Sequence, residues 1–211
     1  MAAHLFDPGD LELRGEEVLL RPLIRDDAEA LAAAAGESRE HYLYTATPDE
    51  ADGGHAYVNK ALAMRAAGTR FPLTTIFQDR IVGTTSFMRY QPWDWPTGAA
   101  TQRVDRPDIV EVGYTWLAAS AQRTRCNTET KLLLLRQAFD VWNVHAVLLR
   151  TDARNTRSRR AIERLGAQLE GILRADMPAF DGGVRDTAQY SIIAAMWPVV
   201  YEQLANRAKH L

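Results

Sequence analysis

Residues 109–166 alternate cleanly between two kinds of regular structure, and this alternation constrains the fold more than any other feature of the sequence. It predicts a strand, a helix, a second strand and a second helix at 109–117, 127–142, 145–153 and 156–166. Helices with one apolar face need a sheet to cover. The segment therefore predicts an α/β domain with a mixed sheet.

The flanking sequence supplies further elements of the same kinds. We predict strands at 16–24, 71–78, 80–90, 167–177 and 184–196, and helices at 25–35, 49–68 and from Trp197 onward. The strands 71–78 and 80–90 form a predicted hairpin around Asp79. Repeats, low-complexity tracts and obvious linkers are absent from the sequence. We therefore expect one domain over residues 1–211, with its core at about 14–200.

Composition excludes several classes of function. The 211 residues are 46% hydrophobic and 25% charged, with a formal net charge of −2, so broad attraction to nucleic acid or anionic lipid is not expected. Cys126 is the only cysteine and forms no internal disulfide, which suits a reducing compartment. The sequence has no apolar run of about 20 residues and no signal peptide pattern, so we expect a cytoplasmic protein without membrane contact. The histidines are dispersed without other ligands at metal-binding spacing, so no metal site is expected.

The turn before the helix at 127–142 is the strongest candidate binding site. A strand that feeds a helix start gathers unpaired backbone N–H groups and the positive end of the helix dipole, and such places bind phosphate. The turn consists of Gln122, Arg123, Thr124, Arg125, Cys126, Asn127 and Thr128. The alternative is that Asn127 or Thr128 only caps a core helix while the arginines are solvated.

The element order and four stretches of sequence resemble the GNAT superfamily of acyl-CoA-dependent N-acetyltransferases, most closely its RimJ/RimL-type branch. The stretches are "VEVGYTWL", "QRTRCNTETKLLLLRQAF", "TDARNTRSRRAIERLGAQLEGILR" and "DTAQYSII". The resemblance covers roughly residues 14–200 and is strongest from 109 to 193. It implies a mixed, mostly antiparallel sheet of about seven strands flanked by helices, with a splayed strand pair forming the acyl-CoA cleft. It also implies acetyl-CoA as cosubstrate, with no metal.

The resemblance implies a coenzyme site on specific residues. In the family a turn of the form [QR]-x-x-G-x-[GA] binds the coenzyme pyrophosphate through main-chain amides, and here it falls on residues 122–127. Gln122 matches, whereas Arg125 and Asn127 replace small residues. Arg125 either swings outward to contact phosphate, which we expect, or fills the groove. Asn155 matches the asparagine that binds the pantetheine arm. Arg157, Arg159 or Arg160 lie where a 3′-phosphate could be met.

The resemblance also suggests the catalytic groups. A backbone N–H near Trp116 or Leu117 would polarise the thioester carbonyl. Glu111 is the expected base, on a strand face shared with Gly113 and Thr115, with a solvent-facing strand residue as the alternative. Many relatives carry an acidic tyrosine near Ile162, which this chain lacks; Ser158 is the expected acid, with an ordinary helix-start residue as the alternative. Tyr114 and Tyr190 are runner-up polar groups, each more simply a packed side chain.

The loop at 91–108 precedes the strand carrying Glu111, so we expect it to border the acceptor. Trp93 and Trp95 offer apolar surface, with Tyr114 as a further substrate contact, and Asp94, Asp105 and Asp108 offer negative charge to a cationic amine. The alternative is a disordered loop or an oligomer contact. Nothing in the sequence selects among protein N-termini and small amines as acceptor.

Three other expectations follow. Cys126 lies at a helix start, where a thiol pKa can fall, but we expect a packed side chain rather than a nucleophile. The terminal helix packs on the core or on a second copy, so both a monomer and a homodimer are compatible with the sequence.

The alternative function is an acyl-CoA-binding regulator or interaction protein. In that case Arg125 and the missing tyrosine would reflect the loss of catalysis.

Overall fold

The computed structural model describes residues 6–100 and 106–210, and these contain eight strands in one sheet. The strands are β1 (Leu13–Arg14), β2 (Val18–Pro22), β3 (Arg70–Phe77), β4 (Arg80–Gln91), β5 (Ile109–Leu117), β6 (Ala146–Asp152), β7 (Gln168–Pro178) and β8 (Val184–Ile193). Their order is β1-β2-β3-β4-β5-β6-β8-β7, and only β5 and β6 run parallel. The predicted mixed, mostly antiparallel sheet is confirmed, with eight strands rather than about seven because the two-residue β1 adds an edge.

The helices cover the sheet on both faces. They are α1 (Ala28–Gly36), α2 (His55–Ala66), α3 (Cys126–Arg136, continued by a π-helical turn over Gln137–Val141), α4 (Thr156–Glu163) and α5 (Trp197–His210). On β5, the Trp116 indole contacts Tyr57 of α2 while Thr115 contacts Lys131 of α3. Because neighbouring strand residues point to opposite faces, α2 and α3 lie on opposite sides of the sheet.

One predicted helix needs a local correction, and the terminal helix begins at Trp197 as predicted. The helix expected over 49–68 begins only at His55, because Gly53 and Gly54 both have a left-handed backbone (φ 61° and 77°) and separate it from a short 3-10 turn at Glu50–Asp52. The terminal helix packs against α3, and the Trp197 indole donates to Asp140 at 2.6 Å. Among the described residues, no helix combines the length and apolar character that crossing a membrane requires.

The parallel pair β5–β6 separates soon after it forms. Its register contains only Ile109 with Ala146, Val110 with Val147 and Glu111 with Leu148. Beyond these pairs the strands diverge, and α3 and α4 follow their open ends. The resulting V-shaped opening is called the cleft below, and the Glu111–Leu148 pair marks its vertex.

A bulge in β5 shapes one wall of the cleft. Gly113 pairs with Ser86 and Trp116 with Thr84, so Tyr114 and Thr115 together oppose the single residue Thr85. Tyr114 takes up the distortion with a positive φ of 48°. The bulge also breaks the alternation on which the sequence analysis relied, so Thr115 does not share the face of Glu111 and Gly113 but turns toward α3.

Candidate active site

Backbone donors collect at the turn between β5 and α3. The N–H of Gln122 donates to Ala119 O at 3.2 Å and that of Cys126 to Thr124 Oγ1 at 3.2 Å. The remaining N–H groups find no acceptor among the described residues; they belong to Arg123, Thr124, Arg125, Asn127 and Thr128. Free N–H groups at a helix start favour an anion, so the turn can hold phosphate.

The backbone of this turn does not need glycine at the position where the family pattern has one. Arg125 stands where glycine is usual, yet it has an ordinary right-handed backbone (φ −65°, ψ −17°). The left-handed residue is Arg123, at φ 61°. A side chain at position 125 is therefore compatible with the turn, and the positive φ lies two residues earlier.

The Arg125 side chain points away from the turn. It forms an ion pair with Glu16, and its Nε lies 3.8 Å from Glu17 Oε2 and 3.6 Å from Glu129 Oε2. Glu129 is buried and also accepts the N–H groups of Glu16 and Glu17. In this structure these carboxylates hold the Arg125 guanidinium.

Two other arginines do lie at the cleft mouth. Arg157 at the start of α4 donates to Gln122 Oε1, and Gln122 Nε2 donates to Leu117 O at 2.8 Å. Burial and the nearby Arg123 charge lower the pKa of Arg157, so the two cations lie within electrostatic reach of each other. The Arg160 side chain is exposed and forms no hydrogen bond or ion pair within 6–100 and 106–210. A cavity of about 350 Å³ adjoins the turn, lined by Ser38, Glu40, His41, Ala119, Gln122 and Arg123.

Leu117 presents its backbone to the cleft. The N–H of Ala118 donates to Val82 O on β4 at 2.6 Å, and alternate residues of a strand direct their backbone groups to opposite sides. The Leu117 carbonyl accordingly accepts bonds from Tyr42 and Gln122 on the side away from β4, each at 2.8 Å. The geometry thus selects the Leu117 N–H over that of Trp116 as the donor that faces the cleft.

Glu111 lies at the vertex and is buried rather than solvent-facing. Its side chain is 7% exposed, and Oε2 lies 3.1 Å from Arg89 Nε and 4.0 Å from Arg150 Nη1. Burial raises the pKa of Glu111, and the nearby arginines only partly offset that effect. A carboxylate with a raised pKa, next to the place where the strands part, has the properties of a general base.

The start of α4 supplies the second wall of the cleft. Asn155 Oδ1 accepts the Ser158 N–H at 3.0 Å, so Asn155 caps the helix, while its Nδ2 makes no bond to a described residue. The Ser158 side chain is half-buried and its hydroxyl has no partner in the part of the chain described. Both polar groups remain available to a ligand.

A profile of the acetyltransferase (GNAT) domain matches residues 17–168, which is most of the chain. The protein belongs to the GNAT acetyltransferase family. A solved structure assigned to an acetyltransferase of T. thermophilus is 28% identical, with a TM-score of 0.75 and coverage of 93% of this chain and 96% of that one. No curated protein matches the sequence at a significant level.

Two more distant structures share the GNAT fold. A GCN5-related N-acetyltransferase from Brucella melitensis is 22% identical, with a TM-score of 0.79 and coverage of 95% and 86%. Mycobacterium smegmatis RimJ, solved in complex with CoA-disulfide, is 20% identical, with a TM-score of 0.69 and coverage of 94% and 93%. GNAT acetyltransferases use acetyl-CoA, and the free N–H groups of the turn, with Arg123 and Arg157 beside them, fit its pyrophosphate.

Two candidate side chains of this GNAT chain are packed within the fold. Cys126 is fully buried, and burial raises the pKa of its thiol to about 12, opposite to the lowering that a helix start can cause. The Tyr190 hydroxyl is held between Arg159 Nε at 3.0 Å and Glu163 Oε1 at 2.8 Å, on a fully buried side chain. Neither group is placed to react in the cleft.

The tryptophans of the loop pack against residues that precede β5 and β6. Trp93 stacks on His145 with ring centroids 5.1 Å apart, and Asp108 accepts bonds from Trp93 N and Trp95 Nε1 at 2.7 and 3.0 Å. Asp108 and His145 immediately precede β5 and β6, at the end opposite the opening of the cleft. The buried Asp108 is thus used within the loop, Asp94 is exposed there, and Asp105 lies outside the described residues.

Tyr114 and Trp116 join a polar network beneath α2. The Tyr114 ring lies 4.0 Å from the guanidinium carbon of Arg70, and Trp116 Nε1 donates to Tyr57 OH at 3.0 Å. Tyr57 OH also bonds Thr84 Oγ1 at 2.7 Å. The network stabilises the bulged part of β5 and leaves the Tyr114 backbone at the cleft wall.

Several charged residues near the vertex were not predicted from the sequence. Arg89, Arg150, Asp176 and Arg185 surround Glu111, and Lys131 is buried beneath the bulge with its Nζ 2.6 Å from Thr115 Oγ1. They come from separate elements, so no local motif joins them. Alternation within the predicted strand places Arg150 on the face of Leu148, but the pairing of Leu148 with Glu111 is known only from the fold.

Proposed function

We propose that this GNAT protein transfers acetyl from acetyl-CoA to a primary amine by direct attack. The observation that carries the proposal is the position of Glu111, buried at the vertex of a cleft whose open end has a phosphate-type turn. A bound coenzyme supplies an activated acetyl group as a thioester. The turn residues 122–128, Asn155 and the arginines 157 and 160 would hold it, with the Leu117 N–H directed at the carbonyl.

Each residue has one role in the transfer. Glu111 accepts a proton from the amine, directly or through water, as the nitrogen bonds to the acetyl carbon. The Leu117 N–H stabilises negative charge on the carbonyl oxygen. As the carbon–sulfur bond breaks, the Ser158 hydroxyl donates its proton to the departing thiolate and takes a proton from solvent in its place. The amine proton thus ends on Glu111, and the thiol leaves as free coenzyme A.

The finer assignments belong to the same proposal. We place the protein in the RimJ/RimL-type branch, as a single cytoplasmic domain over residues 1–211 that acts on a protein N-terminus or a small-molecule amine. The alternative, an acyl-CoA-binding protein without turnover, rests on the buried apolar Ile162 in the region where many relatives carry an acidic tyrosine.

Thiol release in the presence of an amine panel tests the proposal. We expect the protein to bind acetyl-CoA in calorimetric titration and to release coenzyme A faster with at least one amine than without. Binding without amine-dependent release across peptides and small amines would favour the non-catalytic alternative. Absence of acetyl-CoA binding would contradict both functions.

A further inference from the structure

A charged cluster surrounds the proposed base on one face of the sheet. Its members come from five strands: Arg89 on β4, Glu111 on β5, Arg150 on β6, Asp176 on β7, and Arg185 with Thr187 on β8. Arg150 and Glu111 share a face because Arg150 lies two residues beyond Leu148, the register partner of Glu111. This group is called the vertex cluster below.

The carboxylates of the vertex cluster are already engaged. Asp176 Oδ2 accepts bonds from Arg150 Nη2 at 2.7 Å and from Thr187 Oγ1 at 2.8 Å. Glu111 Oε2 lies between Arg89 Nε and Arg150 Nη1, at 3.1 and 4.0 Å. Three arginines therefore share two carboxylates, which leaves a net charge of +1, or +2 when Glu111 is protonated.

Arg185 is the arginine left without a counter-ion. Its Nε donates to Thr187 Oγ1 at 2.9 Å, and no carboxylate of the described residues lies within 4.0 Å of its guanidinium. Asp152, an acid within electrostatic reach, is bonded by Arg154 instead. Burial lowers the pKa of Arg185, and the Arg150 Nε is buried without an acceptor in the described structure.

A partly buried cation that lacks a counter-ion loses hydration without electrostatic compensation. A bound oxyanion supplies that compensation. The guanidinium group suits this task because its planar N–H groups match carboxylate and phosphate oxygens. The helices α1 and α2 pack on β4 and β3, so they leave the β6–β8 part of this face for a ligand. The coenzyme phosphates have their own donors at the far, open end of the cleft.

We propose that the acceptor amine carries a carboxylate or phosphate close to its amino group, and that Arg185, supported by Arg150, binds this oxyanion beside Glu111. The inference rests on the proposed function, since it names the substrate class for that site. It adds an oxyanion to the expected cationic amine. Asp108, one of the acids that the loop was expected to offer to that amine, is bonded by Trp93 and Trp95 instead.

Matched acceptor pairs test the proposal. The pairs are an amino acid with its amide, and phosphoethanolamine with ethanolamine, each measured by thiol release. We expect kcat/KM to be at least about tenfold higher for the charged member of one pair, and the pair that shows it distinguishes carboxylate from phosphate. Arg185→Gln should reduce that ratio to near one, and Arg185→Lys should restore part of it. Arg174→Gln, at an exposed arginine on β7, is the matched control.

A binding measurement distinguishes failure of this inference from failure of the proposed enzyme function. If no amine is turned over, the same charged compounds are titrated into protein saturated with coenzyme A. Salt-sensitive binding that Arg185→Gln abolishes and Arg174→Gln retains would support the oxyanion site although acetyl transfer had failed. Equal kcat/KM for charged and neutral members, or absence of both turnover and binding, would overturn the inference.

Discussion

Glu111 and Arg150 face each other across the point where β5 and β6 separate, with Oε2 and Nη1 4.0 Å apart. Their strands pair for only three residues, so this contact spans the last place where the two strands are joined. A proton acceptor and a cation thus lie together at the vertex of the cleft. This juxtaposition underlies both the proposed transfer and the proposed acceptor class.

Glu111→Gln should lower kcat by about 100-fold or more, because it removes the base while keeping the shape of the side chain. Calorimetric titration should show acetyl-CoA affinity within about threefold of wild type, since Glu111 lies beyond the phosphate turn. The wild-type rate should fall with acidity at a pH above the ordinary glutamate pKa of about 4.3, because burial raises the pKa of Glu111 and protonation disables it.

The exposed α5 residue Glu202 provides the control, as Glu202→Gln should keep both the rate and its pH profile. A Glu111→Gln enzyme that retains wild-type turnover would remove the base assignment.

Arg125→Gly should change acetyl-CoA affinity by less than about threefold, because the guanidinium lies among Glu16, Glu17 and Glu129 and not at the turn. It should also destabilise the fold by about 1–3 kcal/mol, since buried Glu129 loses its cation. Calorimetry and thermal unfolding measure the two effects. A large gain in affinity would show that Arg125 obstructs the groove, and a large loss would show that it binds phosphate.

The double variant Arg123→Gln/Arg157→Gln should weaken acetyl-CoA binding about tenfold and reduce its dependence on salt, because two cations leave the mouth of the cleft. Titrations at low and high ionic strength measure both quantities, with Arg174→Gln as the control. Unchanged affinity and salt dependence would assign pyrophosphate binding to the backbone alone.

Lys131→Met should stabilise the protein near neutral pH, because the lysine is buried with only Thr115 as hydrogen-bond partner and burial lowers its pKa to about 7. Above pH 7 the unfolded chain binds more protons at this lysine than the folded one. As the pH increases above 7, the free energy of unfolding of the wild type should therefore rise relative to that of the variant. The slope should be at most about 1.4 kcal/mol per pH unit, and the rise should end near the ordinary lysine pKa of about 10.4. Denaturant unfolding from pH 6 to 9 measures the difference, and a constant gap would contradict a neutral buried lysine.

Gly83→Ala should lower the free energy of unfolding by about 2 kcal/mol or more, because a Cβ there would lie 2.1 Å from the Trp116 carbonyl oxygen on β5. Acetyl-CoA affinity should fall too, since Gly83 pairs with Leu117. Gly171 on β7 has open space around an added Cβ, so Gly171→Ala is the matched control. Thermal unfolding and titration of both variants decide whether this close strand approach supports the cleft.

Much of the fold follows from local patterns in the sequence. The strands and helices from 109 to 166 are predictable because apolar periodicity and backbone hydrogen bonding act over a few residues. The free N–H groups of the 122–128 turn and the Asn155 cap are local for the same reason. The packing of Trp93 and Trp95 against Asp108 and His145 could not be predicted, because closeness in sequence to Glu111 does not set the direction in which a loop packs.

The order of elements, the candidate anion-binding turn and the candidate base Glu111 could all be proposed from the amino-acid sequence. Folding was needed to establish where β5 and β6 part, how the Tyr114 bulge turns Thr115 toward Lys131, and which acids hold Arg125. Folding also brought Arg185 to the face of Glu111. These features depend on strand register and on charge pairs between distant segments, whose energies exist only after the chain has folded.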